Sequence, residues 1–531
     1  MSVSLEKSDP SRPLVFISRE RCVGCLECLR ECPTGCLTLD FSRFTVRADS
    51  AECVGCRQCQ RTCPLRCIVV TGPFWGLHQR TPSLVLDQET RLSSFREVDL
   101  GYTDQEAALE AARCLVCPRP RCRDAGCPAH NDIPAMCNAI VEGDLPRARD
   151  VLAATTLLPA VCGRVCDQAN LCEGACVYRR EGGQAVSIGR LERYVGDWAV
   201  REGYRKEHPA APASGFRVAV VGSGPAGLAA AERLARLGHA VTVYDVLPVA
   251  GGVLSWGIPG FSLPFDVVAA VLEEVEAAGV EFRLETQVGA GGIPLESLLE
   301  GNDAVFLAAG AGRDNVLNVP GAGLPGASTA TAFLTAAKLS RSLPHRWQAP
   351  RVGENVLVIG AGNTALDVAR SARRLGAKTI TAIDILPETL APIRPDELEA
   401  ARNDGVQVRF AHSLVALEGT GRVERAALIR MRAVSGGGKP QPMPVPGSEF
   451  RIPVQTVVFA LGYRVSSRVT AGTADLSTTA RGTVTADENG RTSREKLWAG
   501  GDVVTGPGVV VRAMVAGRRA ARDIDRALQG G

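Results

Sequence analysis

Residues 216–245 read FRVAVVGSGPAGLAAAERLARLGHAVTVYD, and the architecture of the rear half follows from them. A β-branched run enters Gly222-x-Gly224-x-x-Gly227, an alanine- and leucine-rich helical stretch follows, and a second apolar run ends on Asp245, 23 residues past Gly222. The first two glycines let backbone approach a pyrophosphate at a helix N-terminus, and the third lets that helix lie close on its strand. The closing acid can accept from ribose hydroxyls. A glycine triplet alone says little, but strand, triplet, helix, strand and acid in that order form a strong dinucleotide-binding signal.

A second unit of the same kind starts at residues 355–377, NVLVIGAGNTALDVARSARRLGA, where Gly360, Gly362 and Ala365 take the places of the triplet. VFLAAGAG (305–312) and VVFALGYR (457–464) are apolar strands ending in small residues.

The front of the chain has a different chemistry. All nineteen cysteines lie between Cys22 and Cys176, and the last 355 residues hold none. Dense, short-spaced cysteines in a chain without a secretory signal are ligands far more often than disulfides. Cys22, Cys25, Cys28, Cys32 and Cys36 recur 31 residues later as Cys53, Cys56, Cys59, Cys63 and Cys67. Each copy reads C-x2-C-x2-C-x3-C-P, the spacing of bacterial two-cluster ferredoxins, in which the fourth cysteine ligates the other cluster. One 4Fe–4S cluster would then take Cys22, Cys25, Cys28 and Cys63, and the other Cys53, Cys56, Cys59 and Cys32. Two zinc sites are the alternative, disfavoured by the tripled, proline-ended spacing. Cys36 and Cys67 read as packing residues. Residues 1–75 carry ten Lys or Arg against eight Asp or Glu, a balance that fits either a tethered carrier or docking on an acidic partner.

After a linker at 76–100, TDQEAALEAARC (103–114) opens on a capping box, Thr103 with Glu106. It runs into Cys114, Cys117, Cys122 and Cys127, and Cys162, Cys166, Cys172 and Cys176 follow. RCLVC, GCPAHNDIP, GRVC and CEGAC, with the two glycine units behind them, resemble the glutamate synthase small subunit from about Phe95 to the C-terminus. The same domain occurs in dihydropyrimidine dehydrogenase and in the large subunit of NADH-dependent ferredoxin:NADP oxidoreductase. The resemblance implies a multidomain α+β and α/β chain. It would comprise a ferredoxin-like domain (1–75), linker and helical iron–sulfur domain (76–213), FAD-binding Rossmann-like domain (214–321 and 466–531) and inserted NAD(P)-binding Rossmann-like domain (322–465).

By that resemblance Cys114, Cys117, Cys122 and Cys176 hold a third cluster, and Cys127, Cys166 and Cys172 a fourth. The fourth ligand of the latter is Glu192, sixteen residues beyond Cys176, with Cys162 as the competing candidate; Cys137 is a buried thiol. The flavin site would use Gly222, Ser223, Gly224, Pro225, Ala226, Gly227, Asp245, Gly252, Val253, Val288, Gly501, Asp502 and Val509. VAGGVLSWGIPGFSLP (249–264) continues that site, with Ser262 where relatives usually carry arginine. LWAGGDVVTGPGVVVRAMVAGRRAARDI (497–524) would close over the flavin. The nicotinamide site would use Gly360, Gly362, Asn363, Thr364, Ala365, Asp384 and Gly462, with Asp367 part of the same motif.

NADPH-specific relatives end the second strand of this unit in paired arginines. Here Asp384 and Ile385 stand there, and an acid suits a free 2′-hydroxyl while repelling a phosphate. NAD(H) is therefore expected over NADP(H), with Arg394 the residue that could reverse it. The implied activity is electron transfer between NAD(H) and a partner oxidoreductase or ferredoxin, through FAD and four 4Fe–4S clusters, by one subunit of a hetero-oligomer. No acid–base residue is needed, because hydride transfer to flavin depends on ring stacking and distance. Three alternatives stay open: a glutamate synthase small subunit, a bifurcating ferredoxin:NAD(P) oxidoreductase, and an assembly scaffold with structural clusters. Disulfide reduction is excluded, for no cysteine lies near the flavin segment. A net charge of +3 over 531 residues gives no case for nucleic acid. No apolar run approaches the roughly 18–20 residues that cross a bilayer, and the polar start is no secretory signal, so a cytoplasmic location is expected.

Overall fold

The computed structural model describes residues 13–71, 80–180, 183–206, 211–391, 393–434 and 441–530. The chain forms two compact units, Met1–Leu84 with Gly101–Glu207, and Val85–Leu100 with His208–Gly531.

In the first unit the 31-residue repeat is visible in the backbone. Strand Leu14–Ile17 pairs antiparallel with Ile68–Thr71, and Leu37–Asp40 with Thr45–Ala48. Short helices Glu27–Arg30 and Gln58–Thr62 each follow a left-handed residue, Leu26 at φ 64° and Arg57 at φ 53°. Gly24 and Gly55, and Gly35 and Arg66, are left-handed at the same interval. Non-glycine residues tolerate this region at a cost of roughly 1 kcal/mol or more, so the loops around the cysteines are held there by their surroundings.

The second half of this unit is helical. Helix Asp104–Ala111 carries the complete capping box between Thr103 and Glu106. Asp132 and Asp144 cap helices Ile133–Val141 and Leu145–Ala153, each with proline in its first turn. Helices Pro159–Val165 and Ile188–Arg201 cross in backbone contact. A Cβ on Gly163 would lie 2.5 Å from Arg193 N, and one on Gly196 2.5 Å from Ala160 N.

The second unit contains two five-stranded parallel sheets. One runs in the order Leu497–Ala499, Ala304–Leu307, Arg217–Val221, Ala240–Tyr244, Glu281–Arg283; the other in the order Ala327–Thr329, Thr456–Phe459, Asn355–Ile359, Thr379–Ile383, Gln407–Arg409. The C-terminal strand Leu497–Ala499 returns to the first sheet, so the second is inserted, and the entering and leaving strands Arg313–Asp314 and Tyr463–Arg464 pair with each other. An antiparallel meander built on Arg425–Val434 flanks the insertion. Residues 85–100 carry helix Gln88–Ser93 and pack within this unit: Val98 N–H donates to the Phe261 carbonyl at 3.0 Å, and Arg91 Nε lies 3.0 Å from the Asp404 carboxylate.

Candidate functional site

A cavity of about 870 Å³ in the second unit lies at the C-terminal ends of the first sheet, where open α/β sheets bind ligands. Gly222, Gly224, Pro225, Ala226, Asp245, Gly252, Val253, Val288, Asp502 and Val509 line it, and so do Thr364 and Gly462 from the insertion side. Its volume falls within the roughly 300–1,000 Å³ of cofactor sites. Gly222 sits at φ 101°, with a virtual Cβ 2.4 Å from Ala308 O; a Cβ on Gly224 would meet nothing within 4 Å, so that face is open to the cavity. Gly227 instead packs inward, its virtual Cβ 1.9 Å from Gly222 O.

Ser223 and Gly501 stand behind this wall. Asp245 Oδ2 accepts from Ser223 N at 2.8 Å and from its hydroxyl at 2.5 Å, and Oδ1 accepts from Leu247 N at 3.0 Å. The acid therefore fastens the glycine loop and keeps limited acceptor capacity for a ribose. Asp384 repeats the arrangement, accepting from Ala361 N at 3.3 Å and Leu386 N at 2.9 Å. Gly360, Gly362, Asn363, Ala365 and Asp384 gather at this second loop, outside the large cavity. A Cβ on Gly362 would also meet nothing within 4 Å. The Arg394 guanidinium is bonded to the Asp396 carboxylate, and its backbone N–H points to Asn363 Oδ1 at 3.5 Å.

Burial pushes the Asp502 carboxyl up to about 6, opposed by the Gly508 backbone N–H. Trp256, Tyr463 and Arg468 also line the cavity. Trp256 and Tyr463 lie inside the stretches 249–264 and 457–464 already quoted, but nothing local marks Arg468, which reaches the wall through tertiary folding.

In the first unit the cysteines gather in sets. Cys28 sits among Cys22, Cys25 and Cys63, and Cys59 among Cys56, Cys32, Cys36 and Cys28. Cys122 has Cys176, Cys114 and Cys117 around it, and these four line one small void. Cys172 lies near Glu192, Cys127 and Cys166. Left-handed Leu26, Arg57, Arg66, Val116 and His130 each lie within three residues of one of these cysteines. Among the described residues no three His, Cys, Asp or Glu side chains close on a single-ion point; Cys114, Cys117, Cys122 and Cys176 line a void instead. Burial, then the nearby Cys22 and Cys25, pushes the Cys28 thiol up to about 11. Crowded thiolates need a cationic centre among them, and a four-iron core taking one thiolate per iron fits that demand.

Glu192 is 7% exposed, accepts from Asn131 Nδ2 at 3.1 Å, and is pushed by burial up to about 8. The Gly163 and Gly196 contacts place its helix against the one bearing Cys162 and Cys166. The signal for this placement was available as two glycines inside otherwise good helical stretches.

The sets also adjoin in order. Cys59 of the second set neighbours Cys28 of the first, Cys56 of the second neighbours Cys117 of the third, and Cys127 N–H of the fourth donates to Cys122 O of the third at 2.8 Å. The front carries ion pairs of its own, such as Arg119 with Glu31 at 3.0 Å.

Residues 216–517 match the family model of pyridine nucleotide-disulphide oxidoreductases. Residues 91–204 match dihydropyrimidine dehydrogenase domain II with its 4Fe–4S cluster, and residues 14–65 a 4Fe–4S dicluster domain. The glutamate synthase [NADPH] small chain of Halomonas elongata is 37% identical over 82% of this chain and 93% of its own. The putative oxidoreductase AegA of Escherichia coli strain K12 is 37% identical over 82% of this chain and 68% of its own. The NADP(+)-dependent formate dehydrogenase subunit beta of Moorella thermoacetica is 35% identical over 76% of this chain and 59% of its own.

Proposed function

The chain belongs to the pyridine nucleotide-disulphide oxidoreductase family, as a homologue of the glutamate synthase small chain, and on that premise we propose that it carries electrons between NAD(H) and a separate oxidoreductase or ferredoxin-type partner, using FAD and four 4Fe–4S clusters. Bound FAD exchanges hydride with nicotinamide and single electrons with iron–sulfur centres. The chain's own residues supply the holding and the order. Gly222, Gly224 and the first turn of helix Pro225–Arg236 would cradle the pyrophosphate, Asp245 keeps that loop in shape, and Asp502 and Val509 close the other side. Thr364 and Gly462 face the same cavity, so the nicotinamide end of a second dinucleotide would enter from the insertion.

The observation that carries this reading is the unbroken succession of cysteine sets, from Cys127, Cys166 and Cys172 through Cys114 and Cys56 to Cys28. Four adjoining sets suit one-electron passage, and a purely structural role would not require them in sequence. The homology to chains named as subunits supports a hetero-oligomer. Nineteen cysteines in short-spaced, ligand-like sets support a reducing, cytoplasmic setting; no described helix is long and apolar enough to cross a membrane.

NAD(H) is favoured by the carboxylate of Asp384 at the mouth of the second glycine loop, with Ile385 beside it and the Arg394 guanidinium engaged by Asp396. Several relatives are named for NADPH or NADP(+), which makes the nucleotide choice a point of divergence. Stopped-flow mixing of the loaded protein with NADH tests the function: cluster absorbance and flavin absorbance should both bleach. Flavin bleaching with unchanged clusters would make the front a scaffold.

A further inference from the structure

We propose that the four cysteines outside the ligand sets, Cys36, Cys67, Cys137 and Cys162, each donate one S–H hydrogen bond to a different cluster and set its reduction potential. The proposal rests on the cluster reading above and extends it to residues which that reading leaves without a role.

Nineteen cysteines less the fifteen assigned to clusters leave these four, one for each set. Cys36 Sγ lies 3.4 Å from Cys32 Sγ and is also hydrogen-bonded to Cys53, both of the second set. Cys67 Sγ lies 3.2 Å from Cys63 Sγ and is also bonded to Cys22, both of the first. Cys137 is bonded to Cys114 and stands near Cys122 and Cys176, all of the third. Cys162 is bonded to Cys166 and stands near Cys127 and Glu192, all of the fourth. They are 8%, 6%, 1% and 2% exposed respectively, so water does not compete for these contacts.

The chemistry gives the contacts a direction. An iron-bound thiolate has no proton and only accepts, whereas a free thiol beside it has one S–H to give. Hydrogen bonds to cluster sulfurs are among the determinants of reduction potential. Reduction adds a negative charge to the cluster, so the accepting sulfur holds the bond more tightly afterwards, and the potential rises. A thiol serving only as a small apolar filler would leave the potential where it is.

The test uses the full-length loaded protein with Cys36→Ala, Cys67→Ala, Cys137→Ala and Cys162→Ala made singly, each followed by iron and sulfide analysis and an EPR-monitored redox titration. Each variant should keep its iron, and the midpoint of one cluster should fall while the other three stay. The expected fall is up to tenfold in the reduced-to-oxidised ratio, about 59 mV for one electron. Serine at the same position keeps a donor and should stay near the parent value. Where alanine prevents loading, valine refills the space without a donor and carries the same expectation. Unchanged midpoints in the alanine or valine variants would overturn the proposal, and so would loss of iron from the folded alanine and valine variants alike at one position, because the residue would then be a ligand. Absence of four cluster signals in the parent protein would instead defeat the underlying reading, before any variant is compared.

Discussion

Asp384 and Asp245 occupy equivalent places in the two nucleotide-binding units, and in both the carboxylate is engaged by backbone N–H groups of its own loop. Removing Asp384 therefore has two effects that kinetics can separate. Asp384→Ala should lower kcat/KM for NADH about tenfold, the scale of one lost charge-assisted hydrogen bond, and narrow the gap to NADPH by relieving repulsion of the 2′-phosphate. A parent enzyme that already prefers NADPH would show that this carboxylate does not face the ribose. Asp502 offers a test in pH. Burial raises its carboxyl from 3.8 to about 6, so the folded flavin-free chain holds that proton more tightly than the unfolded chain does. The stabilising contribution is full below about pH 4 and is lost as pH rises through 6. Asp502→Asn should stabilise the flavin-free protein at pH 7.5 by about 1–2 kcal/mol, after discounting for partial exposure, with the gain fading as pH falls below 6; urea unfolding of the second unit at both pH values measures it. The spacing of both acids was readable in the sequence. Their bonds to Ser223, Leu247, Ala361 and Leu386 were not, because those depend on how each loop turns back.

Among the elements, the crossing of helices Pro159–Val165 and Ile188–Arg201 has the clearest consequence. Gly163 and Gly196 remove the side chains that would keep the helices apart, and the close crossing brings the Cys166 and Glu192 helices together. Gly196→Ala places a methyl 2.5 Å from Ala160 N, which forces the helices to separate. Overpacking of this kind costs about 1–3 kcal/mol, and iron analysis should show selective loss from the fourth set, with the thermal midpoint of the first unit lowered. Retention of full iron would mean that Glu192 and its helix do not hold the cluster. A second element-level tie is Lys338, on helix Ala330–Ser342, whose ammonium donates to the carbonyls of Leu254, Ile258 and Leu263 at 2.8, 2.6 and 3.1 Å. It fixes the insertion to the loop that follows the first glycine unit. The 31-residue repeat, both glycine units and the Thr103 capping box are local patterns and were legible without coordinates. The helix crossing and the lysine tie join residues far apart in the chain, and only folding puts them together.

For the whole molecule, the succession of cysteine sets predicts where a break will isolate electrons. Cys56→Ala acts at the junction of the second and third sets, so NADH should still reduce the third and fourth clusters while the first stays oxidised, as followed by EPR after freeze-quench. Reduction of the first cluster at the parent rate would show that electrons do not pass through this junction. Sequence spacing assigned the sets, but their adjoining order arises from packing between the repeated half and the helical half, which leaves no mark in either motif. The placement of residues 85–100 was equally hidden. Read as part of a linker, they pack in the second unit through Phe95, Val98 and Arg91 against partners far downstream. Gln88, for instance, donates to the Asn403 carbonyl, 315 positions later. At the usual pace of translation that separation is on the order of 15–60 s. Every cysteine has left the ribosome well before then, while residues 85–100 still lack their partners from the last third of the chain, Arg374, Asn403 and Asp404. Residues 85–100 therefore reach their final packing only once the later half of the chain has been made.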